Sequence, residues 1–271
     1  WIPENGFHSH NVRFRAVDYV GNVSAWTDAQ HIHMDTTTPT ITLADLPTII
    51  NYKDNYKLPS SYSFGAGGGS VSCTINGTSV TNTSVLRPAA YPVYCTATSS
   101  SGLSTTIRKD IQVKPVIDLS GIPDDFYSGA SYSIPTAVNY GDHGGSTVCK
   151  INGTVVTNTN ILTGGTTYWI ECTATTAQGV VNSTKRIITV RPSIDLSGIP
   201  ASFKAGSSYS IPSQPVNYGV QGGSTVCKIN GTVVTNTNIL TGGSNYVINC
   251  TAVSNYKNIT GTASKTIYVY N

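Results

Sequence analysis

The stretch Gly144–Gly165, GGSTVCKINGTVVTNTNILTGG, returns unchanged at Gly222–Gly243, and a diverged copy, GGSVSCTINGTSVTNTSVL, occupies Gly68–Leu86. No other feature limits the possible folds as strongly. Each copy leads into an aromatic-rich run ending in Cys-Thr-Ala: YPVYCTA at Tyr91–Ala97, YWIECTA at Tyr168–Ala174 and YVINCTA at Tyr246–Ala252. The first cysteine of each copy recurs after 76 residues (Cys73 to Cys149) and then after 78 (Cys149 to Cys227). Recurrence at that spacing marks one small unit in tandem. The expected division is therefore 1–37, 38–115 (repeat 1), 116–192 (repeat 2) and 193–271 (repeat 3).

So short a unit buries a modest share of its surface and needs a covalent staple. The six cysteines fall one pair per repeat, Cys73/Cys95, Cys149/Cys172 and Cys227/Cys250, separated by 22, 23 and 23 residues. Three equivalent repeats favour pairing within each repeat, with buried free thiols as the alternative. Zinc needs four ligands close together, and no Cys-x-x-Cys or Cys/His spacing lies near these sites. Disulfides imply an oxidising, extracytoplasmic compartment.

Within each repeat the pattern is short strands separated by turn residues, with no helical periodicity. In repeat 2, Val116–Leu119 opens a strand that Gly121-Ile122-Pro123 breaks, and Ser131–Pro135 is expected to follow as an edge strand. Thr147–Asn152 alternates around Cys149 and runs into Asn152-Gly153, a strong hairpin signal, from which Thr154–Val156 returns. Asn158–Leu162 is expected as a further short strand. Tyr168–Thr175 is the longest, with Tyr168, Ile170, Cys172 and Ala174 on one face, and Lys185–Val190 closes the unit. The fold class is all-β: tandem antiparallel β-sandwiches with one disulfide per repeat, which the resemblance given next makes Ig-like.

These residues carry a resemblance. Gly-Ser-x-x-Cys, a short loop, Tyr-x-x-x-Cys-Thr-Ala and a terminal Thr-Ile-x-Val strand resemble bacterial Ig-like surface repeats of the hyalin-repeat type, over about residues 38–271. The resemblance implies that the two cysteines sit on neighbouring strands of one sheet, not across the core as in antibody domains. It also implies an extracellular, bacterial cell-surface setting. Ahead of the repeats, HNVRFRAVDYVGNVSAW has Val12, Phe14 and Ala16 in period two, then a turn at Gly21-Asn22, then a second strand at Ala29–Met34. This segment resembles the last two strands of a fibronectin type III-like module, and the whole reads as a piece of something longer.

Composition narrows the chemistry. Only 11% of residues are charged and the net charge is +3, so no basic stripe with interleaved aromatics supports nucleic-acid binding. No apolar run approaches the ~20 residues of a membrane span. Glu171 has no carboxylate partner, and Tyr94 and Asn249 replace it in the sister repeats, so an enzyme is not expected. His8, His10, His31 and His33 would need a common face to hold a metal, and their phase separates the pairs. Asp18, Asn22 and Asp35 lack the ligand density of a calcium loop and read as a turn cap and a linker. Lys150 and Lys228 repeat without an adjacent acid, which argues against an isopeptide staple. Asn76, Asn152 and Asn230 begin sequons, but each precedes Gly and is read as a hairpin residue. No cofactor and no metal are expected.

One feature points toward a ligand. Loops 140–143 and 218–221 differ between otherwise matching repeats, which makes Tyr140, Asp142, His143, Tyr218 and Gln221 candidate ligand-contacting residues. Loops 177–182 and 255–260 differ in the same way, and Trp169 projects from the face opposite Tyr168 and Ile170. Structural packing is the alternative for these aromatics, since Tyr140 and Tyr218 match positions near Phe64 in repeat 1 and Val247 replaces Trp169 in repeat 3. The expected role is a non-catalytic stalk of a cell-surface adhesin-type protein, contacting neighbouring domains of its own chain. The alternatives are direct adhesion to host glycan or to surface or matrix protein, and an accessory role beside an extracellular hydrolase.

Overall fold

The computed structural model describes residues 7–65 and 67–271, and among them every regular element is a β-strand. The chain divides into two compact units: 1–115 with 140–144 and 176–180, and 116–139 with 145–175 and 181–271.

In the first unit, β1 (Phe7–Val12) and β2 (Gln30–Asp35) form an antiparallel ribbon. Its outer part is held by the Phe14 and Ala16 backbones against Thr27 and Ser24, and by an isolated bridge from Val17 to Val23. The regular ladder thus stops before Phe14, which is exposed, because Val17–Val23 must close the Gly21-Asn22 turn. Repeat 1 follows as β3 (Thr40–Thr42), β4 (Ile49–Ile50), β5 (Ser61–Ser63), β6 (Gly69–Ile75), β7 (Thr78–Val80), β8 (Ala89–Ser99) and β9 (Ser104–Val113). One sheet runs β4-β9-β8-β6-β7 and a second pairs β3 with β5. All pairings are antiparallel except β4, which lies parallel to β9. Alternation along β8 sends Val93, Cys95 and Ala97 inward, fully buried, and Val93 and Cys95 pack with Leu46, Ile50 and Ile111.

The second unit repeats the five-stranded sheet twice. Repeat 2 has β10 (Val116–Asp118), β11 (Asp125–Tyr127), β12 (Ala137–Asn139), β13 (Gly145–Ile151), β14 (Thr154–Val155), β15 (Thr166–Thr176) and β16 (Val181–Arg191). Repeat 3 has β17 (Ser202–Lys204), β18 (Gly223–Ile229), β19 (Thr232–Val233), β20 (Ser244–Ser254) and β21 (Thr260–Tyr270). Their sheets are β11-β16-β15-β13-β14 and β17-β21-β20-β18-β19, again with the first strand parallel to the last. Each repeat has its own core: Ile122, Ile170, Ile188 and Val190 in one, Ile199, Ile248, Ile267 and Val269 in the other. Burying each such side chain contributes about 1.5–3 kcal/mol.

Each repeat carries one disulfide, Cys73–Cys95, Cys149–Cys172 and Cys227–Cys250. Cys73 lies directly opposite Cys95 in the β6–β8 ladder, and Cys227 opposite Cys250 in β18–β20, so the bridges tie neighbouring strands of one sheet. Asn76, Asn152 and Asn230 have φ of 51°, 50° and 47°, the left-handed conformation their hairpins require.

Two expected strands of repeat 2 are absent. Residues 131–135 make only the isolated bridge Ser133–Asn158, and the peptide bond before Pro135 is cis. Residues 158–162 form a turn, with Asn158 Oδ1 accepting from the Asn160 amide and Thr159 O accepting from the Leu162 amide. The reason is Thr159. Its fully buried hydroxyl donates to Ala130 O at 2.8 Å and accepts from Tyr132 N at 2.9 Å, while its own amide donates to Tyr132 O. Those bonds satisfy two stretches of backbone that a strand would otherwise have to pair. Thr83 and Thr237 make the same three bonds to Asp54 and Tyr56, and to Ser207 and Tyr209.

Candidate functional site

The candidate loop residues fall in two settings. In the first compact unit, Tyr140 is half-buried and His143 exposed, while Asp142 accepts a 2.8 Å ion-pair contact from Arg87, both side chains largely exposed. In the second unit, Tyr218 lies with its ring over Gly223, so a side chain at that glycine would overlap the ring, and its hydroxyl bonds Thr225. Gln221 is exposed and its carbonyl accepts from Asn255 Nδ2 at 3.0 Å. Tyr218 and Gln221 share a cleft of about 330 Å³ with Asn152, Tyr168, Val220 and Tyr256.

That cleft is the rim of a contact between repeats 2 and 3. Ser254 Oγ, buried, donates to Gly165 O at 2.7 Å, and Thr167 Oγ1 and the Tyr256 hydroxyl lie 3.1 Å apart. Arg191 Nη1 donates to Thr260 O at 3.2 Å while its other nitrogens grip both Asp125 carboxylate oxygens at 2.8 and 3.1 Å. Three glycines make the approach possible. A Cβ at Gly165 would overlap the Tyr218 carbonyl, one at Gly164 would sit 2.6 Å from Asn217 O, and one at Gly261 would overlap the Pro192 carbonyl. Backbone therefore rests directly on backbone at this joint.

Electrostatics here are mild. The Arg191 hydrogen bonds hold the Asp125 carboxyl below its usual range. The bond with Thr167, then Lys257, lowers the Tyr256 phenol. Neither perturbation places an acid or base where a substrate could use it.

The remaining sequence candidates lie outside that cleft. Glu171 pairs across the ladder with Lys185 at 3.1 Å, both exposed. Lys150 and Lys228 are exposed, which removes the burial an isopeptide bond needs. Trp169 stands 57% exposed on the outer face of β15, opposite Ile187. Asp18 accepts from the Val20 and Asn22 amides and from Asn22 Nδ2, which caps the turn and lowers its carboxyl. In the ribbon, His8 and His10 lie opposite Met34 and Ile32, whereas His31 lies opposite Asn11, on the other face. Of the loops flagged by their divergence, Asn182 belongs to strand β16, and 255–260 is part of the joint. The joint glycines and the buried threonines carry no functional signal in sequence; only their identical recurrence in repeats 2 and 3 hints at a common structural use.

No family model and no curated protein matches the sequence. Among solved structures the chain is similar to SGBP-B of the Bacteroides ovatus mixed-linkage glucan utilisation locus, in complex with a mixed-linkage heptasaccharide: 14% identity over 86% of this chain and 70% of that one, TM-score 0.23. It is similar to the fibronectin(III)-like modules of Clostridium thermocellum CbhA, with 15% identity over 57% and 94% of the two chains and a TM-score of 0.24. Drosophila N-cadherin EC1-4 aligns at 13% identity over 100% and 85%, TM-score 0.25. At these scores the likenesses carry no argument about ligand or role.

Proposed function

We propose that the chain is a non-catalytic spacer of an extracellular surface protein, bacterial as its resemblance to hyalin-type repeats implies, dividing at residues 37, 115 and 192. The observation that carries this reading is the use made of the duplicated stretch. Gly144–Gly165 and Gly222–Gly243 supply a core strand with its disulfide cysteine, an Asn-Gly hairpin and a buried threonine. The first copy also supplies the glycines on which repeat 3 rests. These parts of the copied sequence have structural tasks, and among the described residues no group of three His, Cys, Asp or Glu side chains gathers to hold a metal. A disulfide in each small unit suits an oxidising exterior.

The cleft containing Tyr168, Tyr218, Gln221 and Tyr256 supports a second reading, direct binding of a glycan or protein, since aromatic and amide groups converge there. Titration of the chain against neutral glycans and matrix or mucin proteins separates the two. A variant with loops 140–143 and 218–221 replaced by glycine and serine runs beside it. The spacer reading expects no saturable binding by either protein; saturable binding lost on loop replacement would overturn it in favour of adhesion.

A further inference from the structure

Repeats 2 and 3 share the sequence Thr-Gly-Gly at 163–165 and 241–243, yet the two segments have opposite surroundings. Gly164 and Gly165 are buried and Thr163, Thr166 and Thr167 half-buried, whereas Thr241, Gly243, Ser244 and Asn245 are exposed. The difference lies in what rests on them. The Tyr218 carbonyl and the Ser254 side chain press on Gly165, while nothing among the described residues comes within 4 Å of the Cβ position at Gly243.

The supporting geometry is nonetheless the same. Gly165 N donates to Val190 O and Gly243 N to Val269 O, each at 2.7 Å, and the two glycines have φ of 74° and 84°. Gly164 packs against Pro192, and Gly242 packs against Asn271, the residue in the matching position after the last strand. The exposed copy is therefore already held in the conformation that the buried copy uses for contact, so docking on it carries little ordering cost. Side-chain partners also persist in kind: Asn245 stands where Thr167 meets the Tyr256 hydroxyl, and exposed Tyr270 stands where Arg191 meets the Thr260 carbonyl.

We infer that Thr241–Asn245, with Tyr270 and Asn271, is a preformed docking face for the tyrosine–glycine loop of a further repeat of this kind. The occupant is set by the precedent at Gly165: a backbone carbonyl before a glycine, flanked by a serine hydroxyl and a tyrosine, which are Tyr218-Gly219, Ser254 and Tyr256 in repeat 3. The inference rests on the reading of the chain as an array of repeats. It concerns how one repeat docks on another and is independent of whether any repeat also binds a ligand.

The test extends the full chain by a second copy of residues 193–271 after Asn271 and follows amide hydrogen exchange by mass spectrometry. In the parent chain, 241–245 exchanges faster than 163–167. In the extended chain it slows by about tenfold or more, as docked amides lose their local openings. Gly243→Asn restores fast exchange there while leaving the parent fold intact, because asparagine tolerates positive φ and the position is open. Unchanged exchange at 241–245 beside a protected appended β20 sheet would overturn the inference, as would slowing that Gly243→Asn does not reverse. If the appended copy fails to fold, the extension is repeated with residues 116–192, whose Tyr140-Gly141 loop keeps the tyrosine–glycine pair while Thr176 and Gln178 stand in place of Ser254 and Tyr256, and the same outcomes decide. Loss of docking here leaves the glycan and protein titration untouched, so this inference and the spacer reading fail separately.

Discussion

Replacing Thr159 by valine tests whether its hydroxyl, and not its bulk, holds repeat 2 together. Valine is nearly isosteric, so the methyl groups keep their packing while Oγ1 disappears. Tyr132 N loses its acceptor at 2.9 Å and Ala130 O its donor at 2.8 Å, at a site where Thr159 itself is fully buried. Each backbone group left unsatisfied costs about 1–3 kcal/mol, and both partners are only part-buried, so a combined loss of about 2–4 kcal/mol is expected. For a domain of this size each kcal/mol lowers Tm by about 4–8 °C, which puts the shift at about 8–32 °C. Trp169 is the only tryptophan beyond residue 26, so in a Trp1→Phe, Trp26→Phe background its fluorescence reports repeat 2. Thr159→Ser, which keeps the hydroxyl and loses a methyl, should cost about 1 kcal/mol. Valine must therefore be the worse of the two. If Thr159→Val unfolds like the parent while Thr159→Ser is the destabilised protein, packing alone explains the site and the hydrogen-bond argument fails.

Gly261→Ala should open the joint without unfolding repeat 3, since its Cβ would overlap the Pro192 carbonyl and not its own core; faster exchange at 163–167 with an unchanged melting transition checks this. Replacing Cys227 and Cys250 together by alanine removes the link between directly opposed strands, and about 3 kcal/mol of chain-entropy stabilisation with it, read as a lower urea midpoint for repeat 3. Asn152→Ala should cost about 1–2 kcal/mol and Asn152→Gly almost nothing, because φ of 50° penalises alanine alone; equal losses in thermal melts would remove the turn argument. Acid should weaken repeats 2 and 3 before repeat 1. Asp118 and Asp195 are held below the usual carboxylate range, first by hydrogen bonds from Ser120 and Ser197, and Asp125 by Arg191. A depressed carboxyl stabilises the fold fully above its unfolded value, and that contribution disappears as pH falls through the lower folded value. Repeat 1 carries Thr42, bonded to the Ala44 amide, where repeat 2 has Asp118, so its urea midpoint should change least below about pH 4.

The all-β architecture and one disulfide per repeat are legible in sequence because both depend on local signals: period-two alternation, Asn-Gly turns and cysteines at constant offsets. The buried threonines are not, since Asn158–Leu162 has the alternation of a strand and only the fold reveals that Thr159 reaches Ala130 and Tyr132 instead. The joint is harder still. Thr-Gly-Gly reads identically at 163 and 241, and burial differs because of Tyr218 and Ser254, residues far along the chain. Divergence marked 218–221 and 255–260 as loops worth attention, yet it could not say whether they meet a ligand or the preceding repeat. In the structure Tyr256 and Tyr218 meet the preceding repeat.

The most direct measurement of the central claim, that these repeats form a stiff non-catalytic spacer, is the distance between spin labels at Val155 and Val233, equivalent exposed positions in repeats 2 and 3. The account predicts one narrow distribution in the parent chain, broadened by Gly261→Ala. A broad distribution in the parent, indifferent to that substitution, would mean that the contacts at Gly165, Pro192 and Ser254 do not hold the repeats in place, and would contradict it.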